Sequence, residues 1–354
     1  MTIFGDSFTL RRTVVAVSVL SLVLAGCGNR PGASQGGEAK ASGGVVELVM
    51  APDPVWKWLE DKGIKAEMEK ESGVTIHTSE SWDEYGAFAG GHADVVSTAS
   101  YEVPELEKQT GEPITVFGKY NADRTILAVG ADSTAQNLCD LKGKRIVTYS
   151  AVAATIMWGV FARKFCDLDL RPGGGDYELV VVDPQNEASL LERGDVDAGI
   201  LIPDFSIPQL MKKTVKPLYD SRAVAQIYAQ DLSTHPDDVT HPQTNVFAAR
   251  KSWVEKNPKE SAFVVEIWNR GVREWAEHKS EIIAAYPEDF AATTPEERAF
   301  IENWINTKFD WFVDTTYIDQ TWADRETKVI DLMKETGFVD KNVAAPHFTV
   351  LEHP

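Results

Sequence analysis

The local pattern that decides the fold occurs twice, as FAGGHADVV at residues 88–96 and as LERGDVDAGI at residues 191–200. In each copy a predicted helix ends at a glycine, and a strand begins after an aspartate three residues later. The paired positions are Gly91 with Asp94 and Gly194 with Asp197. Each aspartate is expected to accept hydrogen bonds from nearby backbone groups, the alternative being direct contact with a ligand. The repeat predicts two similar α/β units in one chain.

Strands and helices are predicted to alternate through both units. Short apolar runs bounded by turn residues indicate the strands, and the longer amphipathic stretches between them indicate the helices. The predicted strands are residues 45–50, 74–78, 94–97, 145–149, 179–182 and 198–202, and the predicted helices are residues 54–72, 82–90, 154–166 and 188–193. Strands separated by helices predict parallel sheets in an α/β fold.

The C-terminal part of the chain is predicted to be helical. Its four predicted helices are residues 252–271, 274–286, 295–312 and 319–337. Six tryptophans lie along them, at positions 253, 268, 275, 304, 311 and 322. Tryptophan at helical spacing is typical of a core, so these helices are expected to buttress the two units.

The composition excludes several classes of protein. The 354 residues include 54 acidic and 35 basic ones, which gives a net charge of −19. Such a surface repels phosphate backbones, so we predict no nucleic-acid partner. The 3 cysteines are too few for a disulfide scaffold or a cysteine-ligated zinc module. The histidines show only weak metal-ligand spacing, and we predict neither a metal nor a cofactor.

The N-terminus predicts export and a lipid anchor. Arg11 and Arg12 precede an apolar run at residues 13–24, which is shorter than the roughly 20 residues that span a bilayer and is typical of a signal peptide. The following Leu-Ala-Gly-Cys, ending at Cys27, resembles a bacterial lipobox. We therefore expect a signal peptide at 1–26, a lipid on Cys27 and a flexible tether at 27–44. The alternative is a plain signal peptide followed by an unrelated cysteine.

Further stretches resemble a known family when taken in order with the Gly–Asp pairs. They are DLKGKRIVTYSAVAATIMWGVFARKF (140–165), ASLLERGDVDAGILIPDF (188–205) and VFAARKSWVEKNPKESAFVVEIW (246–268). Together they resemble the solute-binding proteins of ABC transporters, in the nitrate/sulfonate/taurine and thiamine-pyrimidine-precursor group. No single motif is specific, but the order and spacing of the stretches are.

The resemblance implies an α/β, two-lobe, type II periplasmic-binding-protein fold. Lobe 1 would comprise residues 45–120 and 225–354, and lobe 2 residues 121–224, with the chain crossing near residues 119–124 and again near residues 219–225. It further implies a non-enzymatic, monomeric receptor, anchored by lipid to the outer face of the cell membrane. Closure of the two lobes around a small solute would signal to an ABC permease.

The two remaining cysteines acquire a meaning in this context. Cys139 precedes a predicted strand and Cys166 ends the helix that returns beside it. In an oxidising compartment the two are expected to form a disulfide. The alternative is two separate buried thiols.

A solute is expected to bind between the lobes, in loops that follow the strands. The predicted ligand-binding residues are Asp53, Trp56, Ser79, Trp82, Ser97, Thr98 and Ser100 in lobe 1, and Ser150, Thr155, Asp183 and Asp204 in lobe 2. Residues 150–155 open a helix whose backbone amides could receive an anion or a carbonyl. Ser150 or Thr155 could instead be an ordinary helix cap.

The charges in these loops favour a solute that is not an anion. The acids are Asp53, Glu80, Asp83, Glu102, Asp183 and Asp204, and the only base is Lys57. Carboxylates beside tryptophans suit a neutral or cationic, nitrogen-containing or heterocyclic compound. The alternatives are a sulfonate- or taurine-type anion receptor, a pyrimidine-precursor enzyme of the same fold, and a sensory or adhesion lipoprotein without a transporter.

Overall fold

The computed structural model describes residues 44–222, 245–308 and 310–352. The described chain forms two β-sheets, each covered by helices. The predicted signal peptide, the lipid attachment at Cys27 and nearly all of the predicted tether lie outside the described residues. Among the helices of the described ranges, none combines the length and the apolar character that crossing a membrane requires.

Within the described residues, the first sheet consists of six strands: β1 (Val45–Met50), β2 (Thr75–Glu80), β3 (Val95–Thr98), β4 (Ile114–Asn121), β10 (Asn245–Arg250) and β11 (His347–Phe348). Their order across the sheet is β11-β4-β10-β3-β1-β2. Strand β1 pairs in parallel with β2 and β3, whereas β10 runs antiparallel to both β3 and β4.

The second sheet has five strands in the order β7-β6-β8-β5-β9. They are β5 (Ile126–Gly130), β6 (Arg145–Thr148), β7 (Glu178–Val181), β8 (Ala198–Leu201) and β9 (Val215–Tyr219). Strand β6 is parallel to β7 and β8, but β5 is antiparallel to β8 and β9. The predicted parallel pairing is present in both sheets, but each sheet also incorporates one antiparallel strand, which the prediction of parallel sheets did not include. The chain first passes between the sheets through residues 122–125.

Helices pack on both sheets. They are α1 (Pro54–Asp61), α2 (Ile64–Ser72), α3 (Glu84–Ala89), α4 (Val103–Thr110), α5 (Ala154–Cys166), α6 (Pro184–Glu192), α7 (Ile207–Lys212), α8 (Lys251–Lys256), α9 (Pro258–Ala285), α10 (Pro295–Thr307) and α11 (Gln320–Thr336). The predicted helix at 54–72 is two helices, because Gly63 adopts a positive φ of 72° between them. Pro258 starts the long α9, since proline is favoured in a first helical turn.

The repeated Gly–Asp pattern has a structural role in both units. Gly91 and Gly194 have φ of 80° and 75°, the left-handed backbone expected at helix ends. The Asp94 carboxylate accepts a hydrogen bond from the Glu47 N–H in β1, and the Asp197 carboxylate accepts one from Arg145 in β6, each at 3.0 Å. Each aspartate thus fastens the start of one strand to its neighbour, as the backbone interpretation predicted.

The C-terminal helices contribute to the cores of both sheets. Trp268 and Trp275 of α9 are almost fully buried in the core of the first sheet. Val329 and Ile330 of α11 instead pack into the core of the second sheet, with Trp158 of α5. The predicted helical buttress is confirmed, and it reaches both sheets. The exact division of the chain into two lobes stays a prediction.

The predicted disulfide is present. Cys139 and Cys166 are bonded, and their Cα atoms are 5.3 Å apart. The bond joins the end of α5 to the segment that enters β6, and it closes a loop with a sequence separation of 27.

Replacing both cysteines with serine is expected to lower the free energy of unfolding by about 3 kcal/mol, because the unfolded chain regains the freedom of the closed loop. Urea unfolding followed by tryptophan fluorescence measures this difference. A reductant should lower the stability of the parent protein to that of the double variant and leave the variant unchanged. Equal stability of the parent with and without reductant would contradict the expected contribution of the bond.

Candidate functional site

A cavity of about 120 Å³ lies between the two sheets. The first sheet and the loops after β1, β2 and β3 contribute Ala51, Trp82, Asp83, Glu84, Tyr85, Glu102 and Asn245, the crossing segment contributes Asp123, Arg124 and Thr125, and the second sheet contributes Tyr149, Ser150, Val152, Ala153 and Ile202. Most of these residues follow the carboxyl ends of strands, where open α/β sheets bind their ligands. We call this space the interlobe cavity.

Asp123 lines the interlobe cavity, and one of its carboxylate oxygens is buried without a partner among the described residues. Its Oδ1 accepts hydrogen bonds from the backbone N–H and the hydroxyl of Thr125, both at 2.7 Å. Trp158 Nε1 donates to the same Thr125 hydroxyl at 3.0 Å, which fixes the turn. Asp123 is only 1% exposed, and its Oδ2 has no hydrogen-bond partner within the described ranges. A buried carboxylate oxygen without a donor is costly, and burial accordingly raises the pKa of Asp123, although its hydrogen bonds with Thr125 act in the opposite direction.

Glu102 connects the two sheets across the interlobe cavity. Its Oε2 accepts hydrogen bonds from the Thr98 hydroxyl at 2.7 Å and the Ala99 N–H at 2.9 Å, both beside the end of β3. Its Oε1 accepts the N–H of Ala153, directly before α5 of the second sheet, at 2.8 Å. Burial raises the pKa of Glu102, and these three donors partly offset the rise.

Glu84 is a third acid in the interlobe cavity. Burial, with the neighbouring charges of Glu102 and Asp83, raises its pKa to about 8, although its own backbone N–H acts in the opposite direction. Aromatic rings of Trp82, Tyr85 and Tyr149 line the same space. Acids and aromatic faces together form a surface that attracts positive charge and N–H donors.

Arg124 is the one basic residue among the described residues that line the interlobe cavity. Its Nε donates to the Asp204 carboxylate at 3.0 and 3.2 Å, and its guanidinium lies 5.1 Å from the Trp311 ring centre. Asp204 is buried and balances this charge. Among the described lining residues, the carboxyl groups of Asp83, Glu84, Glu102 and Asp123 are therefore left without a matching cation, so each of them that ionises adds uncompensated negative charge to the cavity.

A second cavity, of about 430 Å³, lies on the other side of Trp82 and Arg124, which line both spaces. Asp53 lines it and accepts hydrogen bonds from the Tyr120 hydroxyl and the Val55 N–H, each at 2.8 Å. Lys57, the base predicted for the cleft, also lines it and is paired with Asp289 at 2.9 Å. We call this space the side cavity.

The structure brings some of the predicted ligand-binding residues together and leaves others apart. Trp82 and Ser150 line the interlobe cavity, and Asp53, Asp204 and Trp82 line the side cavity. Four others are buried and hydrogen-bonded inside the protein: Ser97 to Asn245, Thr98 to Glu102, Ser100 to Glu326, and Thr155 to Thr148 and the Ser150 carbonyl.

Three predicted residues lie elsewhere. Trp56 is 1% exposed and stacks on Trp268 in the core of the first sheet, because α1 turns that side of the helix inward. Ser79 and Asp183 are exposed to solvent. None of the three lines either cavity.

Sequence reasoning missed much of the lining. Glu84, Tyr85, Tyr149, Asp123 and Arg124 were not predicted as ligand residues. For Asp123 and Arg124 a signal existed, since an Asp-Arg pair falls at the predicted first crossing between lobes. Tyr149 ends the predicted strand at residues 145–149, which places it one residue before the predicted loop.

The comparisons with known proteins agree with this architecture. A solved protein from Bordetella bronchiseptica RB50 is 18% identical with a TM-score of 0.69, over 87% of this chain and 95% of that one. The alkanesulfonate-binding protein SsuA from Xanthomonas axonopodis pv. citri, bound to MOPS, is 13% identical with a TM-score of 0.64, over 86% and 97%. A Candida albicans protein described as having the generic periplasmic binding protein fold is 13% identical with a TM-score of 0.58, over 86% and 98%.

These likenesses show the fold of periplasmic binding proteins, as the sequence predicted. Among curated proteins, none matches this sequence. The model of the NMT1/THI5-like family matches residues 58–282, which is more than half of the chain. The predicted family resemblance is confirmed, and the chain belongs to the NMT1/THI5-like family.

Proposed function

We propose that this protein is an extracytoplasmic solute-binding lipoprotein of an ABC importer. It binds a small neutral or cationic, nitrogen-containing or heterocyclic solute between its lobes and delivers it to the permease. The observation that carries the choice of solute is the set of acids that line the interlobe cavity, Asp83, Glu84, Glu102 and Asp123, where the base Arg124 is already paired with Asp204. These acids attract a cation or an N–H group and repel an anion when they are ionised.

The size of the interlobe cavity limits the solute. Its volume is about 120 Å³, and an apolar protein cavity of about 150 Å³ accommodates benzene. A single aromatic heterocycle or a compact alkylated amine fits such a space. A longer solute would have to extend past Trp82 and Arg124 into the side cavity.

The charge of the interlobe cavity separates this protein from a sulfonate receptor. The SsuA protein of the comparison binds alkanesulfonates, so that class of solute is the natural alternative for a similar fold. Here Arg124, the only base among the described lining residues, is paired with Asp204, and the carboxyl groups of Asp83, Glu102 and Asp123 remain beside that of Glu84, whose pKa is raised to about 8. Transfer of a sulfonate into this field would place like charges together at low dielectric.

A thermal-shift screen on the domain from residue 44 onward tests the solute class. We expect tetramethylammonium, methylguanidinium or 4-aminopyrimidine to raise the melting temperature in a concentration-dependent way, by mass action. At one hundred times Kd, a ligand stabilises the native state by about 2.7 kcal/mol. Ethanesulfonate, taurine and nitrate are expected to give no shift.

Asp123→Asn supplies the matched comparison, because it removes one charge and leaves the shape of the side chain. The shift given by the cations should fall in this variant and persist in Asp132→Asn, which removes a charge from an exposed residue outside the interlobe cavity. A shift by sulfonates and none by the nitrogen compounds would overturn the proposed solute class. Chemical conversion of a bound compound, followed by chromatography, would instead support the enzyme alternative.

The lipid anchor is tested separately. In a bacterial host that processes lipoproteins, the full chain is expected to incorporate radiolabelled palmitate and to fractionate with membranes. Cys27→Ala removes the thiol that would carry the lipid, so label and membrane retention should both be lost. The Cys139→Ser/Cys166→Ser double variant is the control and should keep the label. Label on Cys27→Ala, or its absence from the parent protein, would contradict anchoring at Cys27.

A further inference from the structure

The amino end of α5 faces the interlobe cavity and is an electrostatically positive position. The first N–H groups of a helix have no partners within the helix, and the helix dipole adds partial positive charge there. Such an end is suited to binding an anion. Helix α5 has 13 residues, and Ser150, Val152 and Ala153 before and at its start line the interlobe cavity.

This position is already occupied by an anion of the protein itself. The Ala153 N–H donates to Glu102 Oε1 at 2.8 Å. Ala153 adopts φ 52° and ψ −138°, a conformation that costs a non-glycine residue free energy. The contact with Glu102 therefore coincides with the strained residue that opens the helix.

Glu102 is held in place from the other side. Its second oxygen is fixed by Thr98 and Ala99 at 2.7 and 2.9 Å, and the residue is 7% exposed. Displacing the carboxylate would leave these donors and the Ala153 N–H without their acceptor. An incoming anion therefore cannot push Glu102 aside without breaking three hydrogen bonds.

Resting on the proposed function, we propose that Glu102 is the specificity-determining residue that makes the interlobe cavity reject oxyanions. Its carboxylate accepts the hydrogen bond of the Ala153 N–H. Without Glu102, that N–H would be available to bind an anionic solute. The same charge adds to that of Asp123, which also lines this cavity. One side chain thereby fills the anion position and increases the attraction for a cation.

The position of Glu102 predicts that a neutral variant changes its preference from cations to anions. Glu102→Gln removes the charge, and its amide can place only one oxygen towards either Ala99 or Ala153. With that oxygen on the Ala99 side, the Ala153 N–H becomes available. We expect the affinity for a cation to fall at least about tenfold. Ethanesulfonate or inorganic sulfate, which the parent protein rejects, should bind the variant.

Isothermal titration of the parent protein, Glu102→Gln and Glu105→Gln tests this inference. Tetramethylammonium and ethanesulfonate are the probes. Glu105 is exposed, lies three residues further along the chain and does not line the interlobe cavity, so its variant controls for the loss of one negative charge. If Glu102→Gln does not fold, Glu102→Met replaces it, because methionine fills a similar volume without opposing the backbone donors with an N–H group.

The outcomes separate the two proposals. Binding of ethanesulfonate to the charge-neutral Glu102 variant alone, with weakened binding of tetramethylammonium, supports the role of Glu102. Cation binding by the parent with the same selectivity in all three proteins overturns that role and leaves the proposed function intact. Binding of ethanesulfonate, and of no cation, by the parent protein overturns the proposed function itself.

Discussion

The structure depends on the burial of carboxylates where two α/β units meet. Glu102 and Asp123 are at least nine-tenths buried, and burial raises the pKa of both. Removing a charged group from water is unfavourable unless hydrogen bonds or an opposite charge compensate it. Glu102 obtains three donors from the protein, whereas one oxygen of Asp123 obtains none from the described residues. These acids are the basis of the proposed solute class.

Side-chain interactions around the interlobe cavity also hold the two sheets together. Glu102 joins the end of β3 to the start of α5, and Arg124 joins the crossing segment to Asp204 after β8. Trp82 contacts Phe205 edge-on, with ring centres 5.7 Å apart. Glu102, Arg124 and Trp82 also line the interlobe cavity, so in the proposed function a bound solute would bias the arrangement of the sheets. Such coupling is what a receptor needs if a permease is to recognise its filled state.

Local signals in the sequence predicted much of the fold. Strand β1 and helix α5 have the predicted bounds, because their apolar patterns and end signals are contained in a few residues. The antiparallel strand β10 was not predicted, since its place between β3 and β4 depends on pairing with distant residues. The site was harder still. Trp56 and Trp82 occupy similar loops in the sequence, and only the turn of α1 sends Trp56 to the core and leaves Trp82 at the cavity.

The central claim is that an anionic site binds a cation. The most direct test is to count the protons that are released or taken up when a cation binds. The pKa of Glu84 is raised to about 8, so near about pH 7 the group is mostly protonated in the free protein. Asp83, Glu102, Asp123 and Arg124 line the same cavity. A cation favours the ionised acid and lowers its pKa, so binding should release up to roughly one proton, and affinity should rise with pH. Calorimetry with tetramethylammonium in buffers of different ionisation enthalpy counts that proton. We predict that the parent protein releases a proton on binding and that the Glu84→Gln variant does not. Uptake of a proton on binding would contradict an anionic site.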